Sequence, residues 1–167
     1  MPQIMLKNYA VNGKGKKDPM RLGDLEGRQG VVIDTMVFIY LFEDHPTFGD
    51  LCENLFNQIK DGLFSAIVTP ITAAEVLVKP LKMGQLSIAD NYRNAIRNMP
   101  NLSNIKFDAE IGFMAGSLRA KYALLLPDLF QVAAALTQPA NALITNDRDI
   151  QRVQETEVFL LSDLATW

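Results

Sequence analysis

The chain has 167 residues, 49% of them apolar, a net charge of −3 and a single cysteine. That length carries one compact core but not two comfortable ones, and a lone cysteine excludes an intramolecular disulfide or a cysteine cluster for zinc. Unbroken apolar runs, such as ALLL at 123–126 and MVFIYLF at 36–42, fall far short of the ~20 residues of a membrane span. A net negative charge also argues against a generic basic nucleic-acid binder.

Residues 1–29 hold six Lys/Arg against Asp18, Asp24 and Glu26, so the remaining chain carries −6. Their VNGKGKKDP segment reads as a solvated loop or arm, and the domain boundary is placed before Gly30, giving a basic extension 1–29 and a domain 30–167. No apolar segment follows the early lysines, so no secretory signal is readable, and a cytoplasmic location is expected.

From Gly30 the texture changes. GVVID is a short buried-type strand, and TMVFIYLF has the length and apolar density of an inward helix that His45-Pro46 breaks. Thr47 is positioned to cap a second helix, FGDLCENLFNQIKDG, with Gly62 as its stop. FSAIV is a second strand. Thr69-Pro70 matches an N-cap followed by proline at the first helical position and opens ITAAEVLVKPLKMG. A polar helix over IADNYRNAIRNM, a short strand NIKF, a long helix DAEIGFMAGSLRAKYAL and a helix from Pro127 follow, then strands ALIT and EVFLL. Alternating strands and helices, with apolar rather than alternating strands, predict an α/β fold: a three-layer α/β/α arrangement with a mainly parallel central sheet.

In such folds ligands lie outside the carboxyl ends of the strands. Asp34 ends the first strand and Asp147 follows the fourth, in LITND. Glu75 falls in or beside an apolar stripe formed by Ile71, Ala74, Val78 and Leu81, and Asp128 stands at the start of the apolar helix DLFQVAAAL. Individually these acids have ordinary readings: Asp34 and Asp147 as helix caps, Asp128 as a charge at the positive end of a helix, Glu75 as the partner of a buried arginine. Four acids in apolar company near strand-to-helix edges are harder to explain that way. Gathered, they would repel one another unless a cation sat among them, and hard oxygen donors without histidine or thiolate select Mg²⁺ or Mn²⁺. The sole histidine, His45, reads as a surface-loop residue and leaves no Ser-His or Cys-His pair. The chemistry suggested is metal-assisted: polarising a phosphoryl oxygen and lowering the pKa of a water.

The ordered segments VVIDTMVFIY, VTPITAAEVLVKPLKMG, SLRAKYALLLPDLFQVAAAL and LITNDRDI, from about Val31 to Leu164, resemble the PIN-domain ribonucleases, specifically the VapC-type toxins of prokaryotic toxin–antitoxin pairs. The resemblance implies a PIN-like fold and assigns Asp34, Glu75, Asp128 and Asp147 as the acidic quartet for Mg²⁺ or Mn²⁺, with Asp149 as the alternative fourth acid. It gives Thr145 a role supporting the water or metal shell, and makes Asn146, Thr35, Arg119 and Arg148 candidates for substrate contact. Arg93, Arg97, Lys121 and Arg152 are further candidates for phosphate contact, each with a solvated surface role as its ordinary alternative. The implied activity is endonucleolytic hydrolysis of RNA by water, in a homodimer restrained by a small antitoxin. The chain departs from the family in its leading segment of about thirty residues and in Leu129-Phe130 after the third acid. The alternatives are a catalytically silent PIN module binding RNA or protein, and a receiver-like phosphoacceptor. The second wants paired acids near the first strand and a late lysine, and neither is present.

Overall fold

The computed structural model describes residues 21–164. The VNGKGKKDP segment lies outside them. A 3-10 turn at Leu22–Leu25 leads into five strands and seven helices: β1 (Val31–Ile33), α1 (Thr35–Phe42), α2 (Gly49–Lys60), β2 (Ala66–Val68), α3 (Pro70–Lys82), α4 (Leu86–Asn98), β3 (Leu102–Asn104), α5 (Ala109–Lys121), α6 (Leu126–Leu136), β4 (Ala142–Thr145), β5 (Glu157–Leu160) and α7 (Leu161–Leu164), with a second 3-10 turn at Ile150–Arg152 between β4 and β5. The strands form one sheet in the order β3-β2-β1-β4-β5, every pairing parallel.

Successive residues of a strand point to opposite faces, so an all-apolar strand implies two cores. Val31 and Ile33 of β1 join Ala66, Val68, Ala142 and Ile144 in a cluster closed by α1 and α2 through Phe38, Leu55, Phe56 and Ile59. Val32, between them, joins Ile67, Leu143 and Val158 on the other face, under Ala115 and Leu118 of α5 and Leu129, Val132 and Ala133 of α6. The result is the three-layer arrangement expected from the sequence. The rings of Phe38 and Phe56 meet at 4.9 Å in tilted geometry, which joins α1 to α2.

Four local expectations change. Leu22 and Leu25, placed by the sequence in a solvated arm, are core residues at 2% and 0% exposure. The chain leading out of them runs beside β2, with Gly27 N donating to the Leu63 carbonyl and Ser65 N to that of Arg28. β3 pairs through Leu102–Asn104 rather than Asn104–Phe107: as an edge strand it needs only Leu102 on the core side, so its apolar content is a poor guide. The helix predicted after His45-Pro46 starts without help from Thr47. Instead His45 Nδ1 accepts hydrogen bonds from the Thr47 and Phe48 backbone N–H groups, at 3.1 and 3.2 Å. Finally, α3 buries Thr72, Val76 and Pro80, while Val78 and Leu81 are 46% and 41% exposed. The apolar stripe expected through Ala74, Glu75, Val78 and Leu81 therefore faces outward, and Glu75 is an exposed residue at the margin of the helix's buried face. Periodicity misplaced it because Thr72, polar by composition, is a core residue with a hydrogen-bonded hydroxyl.

Gly30 stands just before β1 at φ +76, a backbone conformation that favours glycine, and a Cβ there would meet the Gln138 side chain, Oε1 at 2.9 Å and Cβ at 3.1 Å. The turn it makes aims β1 at the centre of the sheet, with β2 and β4 on either side.

Candidate metal centre

Two adjacent central strands end in polar residues. Beyond β1, Asp34 continues the sheet pairing by donating its N–H to the Ile144 carbonyl, then serves as N-cap of α1, its Oδ1 accepting from the Thr35 N–H at 2.8 Å. Its other oxygen, Oδ2, accepts the Thr145 hydroxyl from the end of β4 at 2.7 Å. Thr145 is fully buried, and its oxygen also accepts the Asp147 N–H at 3.0 Å, so one side chain joins the first acid to the loop that carries the last. LITND crowds polar groups after an apolar strand because the β1 and β4 ends lie side by side, and the hydroxyl of one partners the carboxylate of the other.

Glu75 reaches the same place from α3. Thr35 Oγ1 donates to Glu75 Oε2 at 2.6 Å. Thr69 starts α3 as expected, its hydroxyl accepting from the Thr72 N–H with Pro70 next. Asp128 lies in the first turn of α6 and is partly exposed. Desolvation, followed by the negative charges of Asp34, Asp147 and Glu75, pushes its carboxyl up to about 6. Asp34 is likewise raised above the ordinary carboxylate value: burial is the main cause, the hydrogen bonds from Thr145 and Thr35 oppose it, and the charges of Glu75 and Asp147 add to it. The charges of Glu75 and Asp147 thus bear on both Asp34 and Asp128, and that of Asp34 on Asp128, from four separate segments.

They do so without meeting at ligand distance. Among the described residues no three His, Cys, Asp or Glu side chains stand as a ready-made set around one point. The donor chemistry nonetheless fits a hard divalent cation: oxygen only, mutually repelling, with two carboxyls held at raised pKa that a cation would lower. Asp34, Glu75, Asp128 and Asp147 are the residues that would hold it.

The other candidates divide. Asp147 Oδ1 accepts from the Asp149 N–H at 2.8 Å, whereas the Asp149 carboxylate is exposed and lies 3.8 Å from Arg152 Nε. Thr35 is buried with its hydroxyl turned toward Glu75, and Asn146 Oδ1 accepts the Ser162 N–H at 3.1 Å, tying the loop to α7. The oxygens of Thr35, Thr145 and Asn146 thus each have a hydrogen-bond partner within the protein. Arg119 and Arg148 are exposed, and no hydrogen bond or ion pair among the described residues joins either to the acids. Arg93, Lys121 and Arg152 pair with Asp90, Glu155 and Asp149 on the surface.

Sequence reading missed two groups. Gln131 of α6 is 1% exposed and touches Asp34, Thr69 and Thr72; its signal was an amide standing in an otherwise apolar helix, one turn after Asp128. Met36 places its sulfur 3.2 Å from the Asn146 N–H, a contact no pattern announces.

Chains of several solved structures share this architecture. A chain of a structure described as VapBC2 from Rickettsia felis bound to a DNA fragment from its promoter aligns with a TM-score of 0.63 at 20% identity, covering 78% of this chain and 96% of that one. A toxin–antitoxin complex from Klebsiella pneumoniae gives 0.58 at 24% identity, covering 79% and 98%, and DNA-bound VapBC from Salmonella typhimurium gives 0.56 at 14%, covering 80% and 98%. At these identities the likeness is one of fold. No curated protein sequence matches the chain. The PIN domain family matches residues 31–156, a stretch that contains all four acids and the hydroxyls that hold two of them. The chain belongs to the PIN domain family.

Proposed function

We propose that this protein is a divalent-cation-dependent endoribonuclease and the toxin of a VapC-type toxin–antitoxin pair. The observation that carries this reading is the electrostatic convergence of Asp34, Glu75, Asp128 and Asp147 at the carboxyl edge of a parallel sheet, in a PIN-family chain whose fold is shared with chains of toxin–antitoxin complexes.

In this reading Mg²⁺ or Mn²⁺, when bound, supplies Lewis-acid polarisation of a phosphoryl oxygen and lowers the pKa of the attacking water. The protein's own contribution is preorganisation. Thr145 and the Thr35 N–H fix both oxygens of Asp34, so the first acid is aimed before substrate arrives. Thr35 holds Glu75 from below, and the Asp147 carboxylate is set by its bond from the Asp149 N–H. Asp128 has no such hydrogen bond among the described residues; its carboxyl, raised to about 6 mainly by desolvation, is one that a bound cation would bring down and hold as a carboxylate. Arg148, in the loop beside Asp147, and Arg119 are the proposed phosphate contacts.

The remaining proposals follow from family expectation: RNA as substrate, a small antitoxin as partner, a homodimer as the working form, and the cytoplasm as location. No helix among the described residues is long and apolar enough to cross a membrane. A catalytically silent PIN module is the competing reading, since among the described residues no three of the acids stand as a ready-made set. Incubating pure protein with total cellular RNA and mapping new 5′ ends separates the two. The nuclease reading expects new ends with Mn²⁺ that EDTA suppresses and that Asp34→Asn abolishes; no new ends from folded protein favour the silent module, and ends that persist in EDTA and in Asp34→Asn contradict the cation-dependent reading.

A further inference from the structure

Beneath the acids lies a closed set of buried polar side chains that the reaction itself does not require. Gln131 Nε2 donates to Thr72 Oγ1 at 2.7 Å and to Asp34 Oδ1 at 3.4 Å, while its Oε1 accepts the Thr69 hydroxyl at 2.7 Å. Thr72 Oγ1 lies 3.1 Å from Thr35 Oγ1, and Thr35 Oγ1 lies 2.6 Å from Glu75 Oε2. Thr69, Thr72 and Gln131 are each no more than 1% exposed, so every one of these groups must find its partner within the protein.

The proton directions in this set are forced. A carboxylate only accepts, so the Thr35 hydroxyl points its proton at Glu75. Thr35 oxygen must then accept from Thr72, and Thr72, having donated, must accept from an N–H of Gln131. The amide is thereby held with its nitrogen toward Thr72 and Asp34. The flipped orientation would set a carbonyl oxygen against the Asp34 carboxylate, and the Thr69 hydroxyl, which needs an acceptor, would face an NH₂ group instead. One amide therefore touches the first acid directly and reaches the second through two hydroxyls, spanning β1, α3 and α6.

We infer that Gln131 is a positioning residue that fixes Asp34 and Glu75 relative to one another, and so sets how well the site takes a divalent cation. This rests on the proposed cation-dependent reading of the site. Gln131 touches neither RNA nor the reacting atoms. Its loss leaves the acids present but loosens the pair, which weakens cation binding and turnover while leaving RNA affinity as it was.

The test is calorimetric titration of Mn²⁺ into full-length protein, with kcat and KM measured on an RNA substrate. Gln131→Met keeps volume and removes every polar contact; it is expected to bind Mn²⁺ about ten-fold more weakly or worse, with kcat lowered and KM for RNA unchanged. Thr72→Val, which is isosteric, cuts only the route to Glu75 and is expected to weaken Mn²⁺ binding by a smaller factor, about three-fold. Val158→Ala, a core change on the same face of the sheet, is expected to lower stability with no change in Mn²⁺ affinity. Folded Gln131→Met with wild-type Mn²⁺ affinity overturns the inference, and if that variant does not fold, wild-type affinity in Thr72→Val does so. Asp34→Asn keeps the two failures apart. Loss of Mn²⁺ binding in Asp34→Asn with none in the Gln131 and Thr72 variants leaves the metal reading standing and removes this inference alone. Unchanged binding in Asp34→Asn removes both.

Discussion

Replacing Asp128 by Asn removes a charge that the fold places among three others, and the effect on ion-free stability follows from the site's electrostatics. The folded protein holds the Asp128 proton with a pKa near 6, against an ordinary value of 3.8. Because the folded value is the higher one, this group's stabilising contribution is fully present below about 3.8 and is lost as pH rises through about 6. At face value that interval corresponds to roughly 3 kcal/mol at ~1.4 kcal/mol per pH unit, but Asp128 is partly exposed, and solvent screening reduces it to about 1–1.5 kcal/mol. Against this, Asp128 sits in the first turn of α6, where a negative charge gains ~0.3–1 kcal/mol from the helix dipole, which Asn forfeits. Relief of desolvation and repulsion together outweighs the dipole by about 0.5 kcal/mol. In EDTA at pH 7.5, Asp128→Asn should therefore melt about 1–2 °C above wild type, and the difference should vanish or reverse at pH 4.5. With Mn²⁺ present the order should invert, since wild type gains from the ion and the variant gains less. The assay is thermal unfolding across pH with and without Mn²⁺. A variant less stable than wild type at pH 7.5 in EDTA, or a difference that does not change with pH, would show that Asp128 does not share a field with the other acids.

Thr145→Val removes the hydroxyl that donates to the buried Asp34 carboxylate and accepts the Asp147 N–H; urea unfolding should show a loss of about 1.5–3 kcal/mol, together with weaker Mn²⁺ binding. Gly30→Ala forces a side chain into a left-handed backbone and against Gln138 Oε1, and should cost at least about 1–2 kcal/mol by the same measurement. His45→Ala should destabilise by about 1 kcal/mol because the imidazole accepts two N–H groups ahead of α2, while Thr47→Ala should stay within about 0.5 kcal/mol; the opposite order would restore the cap expected from sequence.

How far the sequence led depended on what kind of signal each residue carried. The apolar strands VVI, AIV and ALIT, broken by helices of the right length, required a parallel sheet with a core on each face, and Val31, Val32 and Ile33 divide between the two cores accordingly. Asp34 and Asp147 could be placed at one edge because strand ends in a parallel sheet share an edge, whatever their distance in sequence. Glu75 was singled out for a mistaken reason. Its helix turns Val78 and Leu81 outward and Thr72 inward, a rotation that hydrophobic periodicity cannot show when a buried position is filled by a hydrogen-bonded threonine. Gln131, Thr72 and Met36 acquire their roles from partners between 37 and 110 residues away, which no local pattern encodes. β3, on the sheet edge with one buried residue, lacked the apolar content that marks the inner strands.

The convergence of four segments on one cation is open to direct observation in crystals grown without metal and soaked in MnCl₂, using anomalous scattering from manganese. A peak about 2.1 Å from carboxylate oxygens of Asp34 and at least one of Glu75, Asp128 and Asp147 is the expected result. Clear density for all four side chains with no peak among them, or a peak bound only by residues elsewhere, would contradict the assignment of this site.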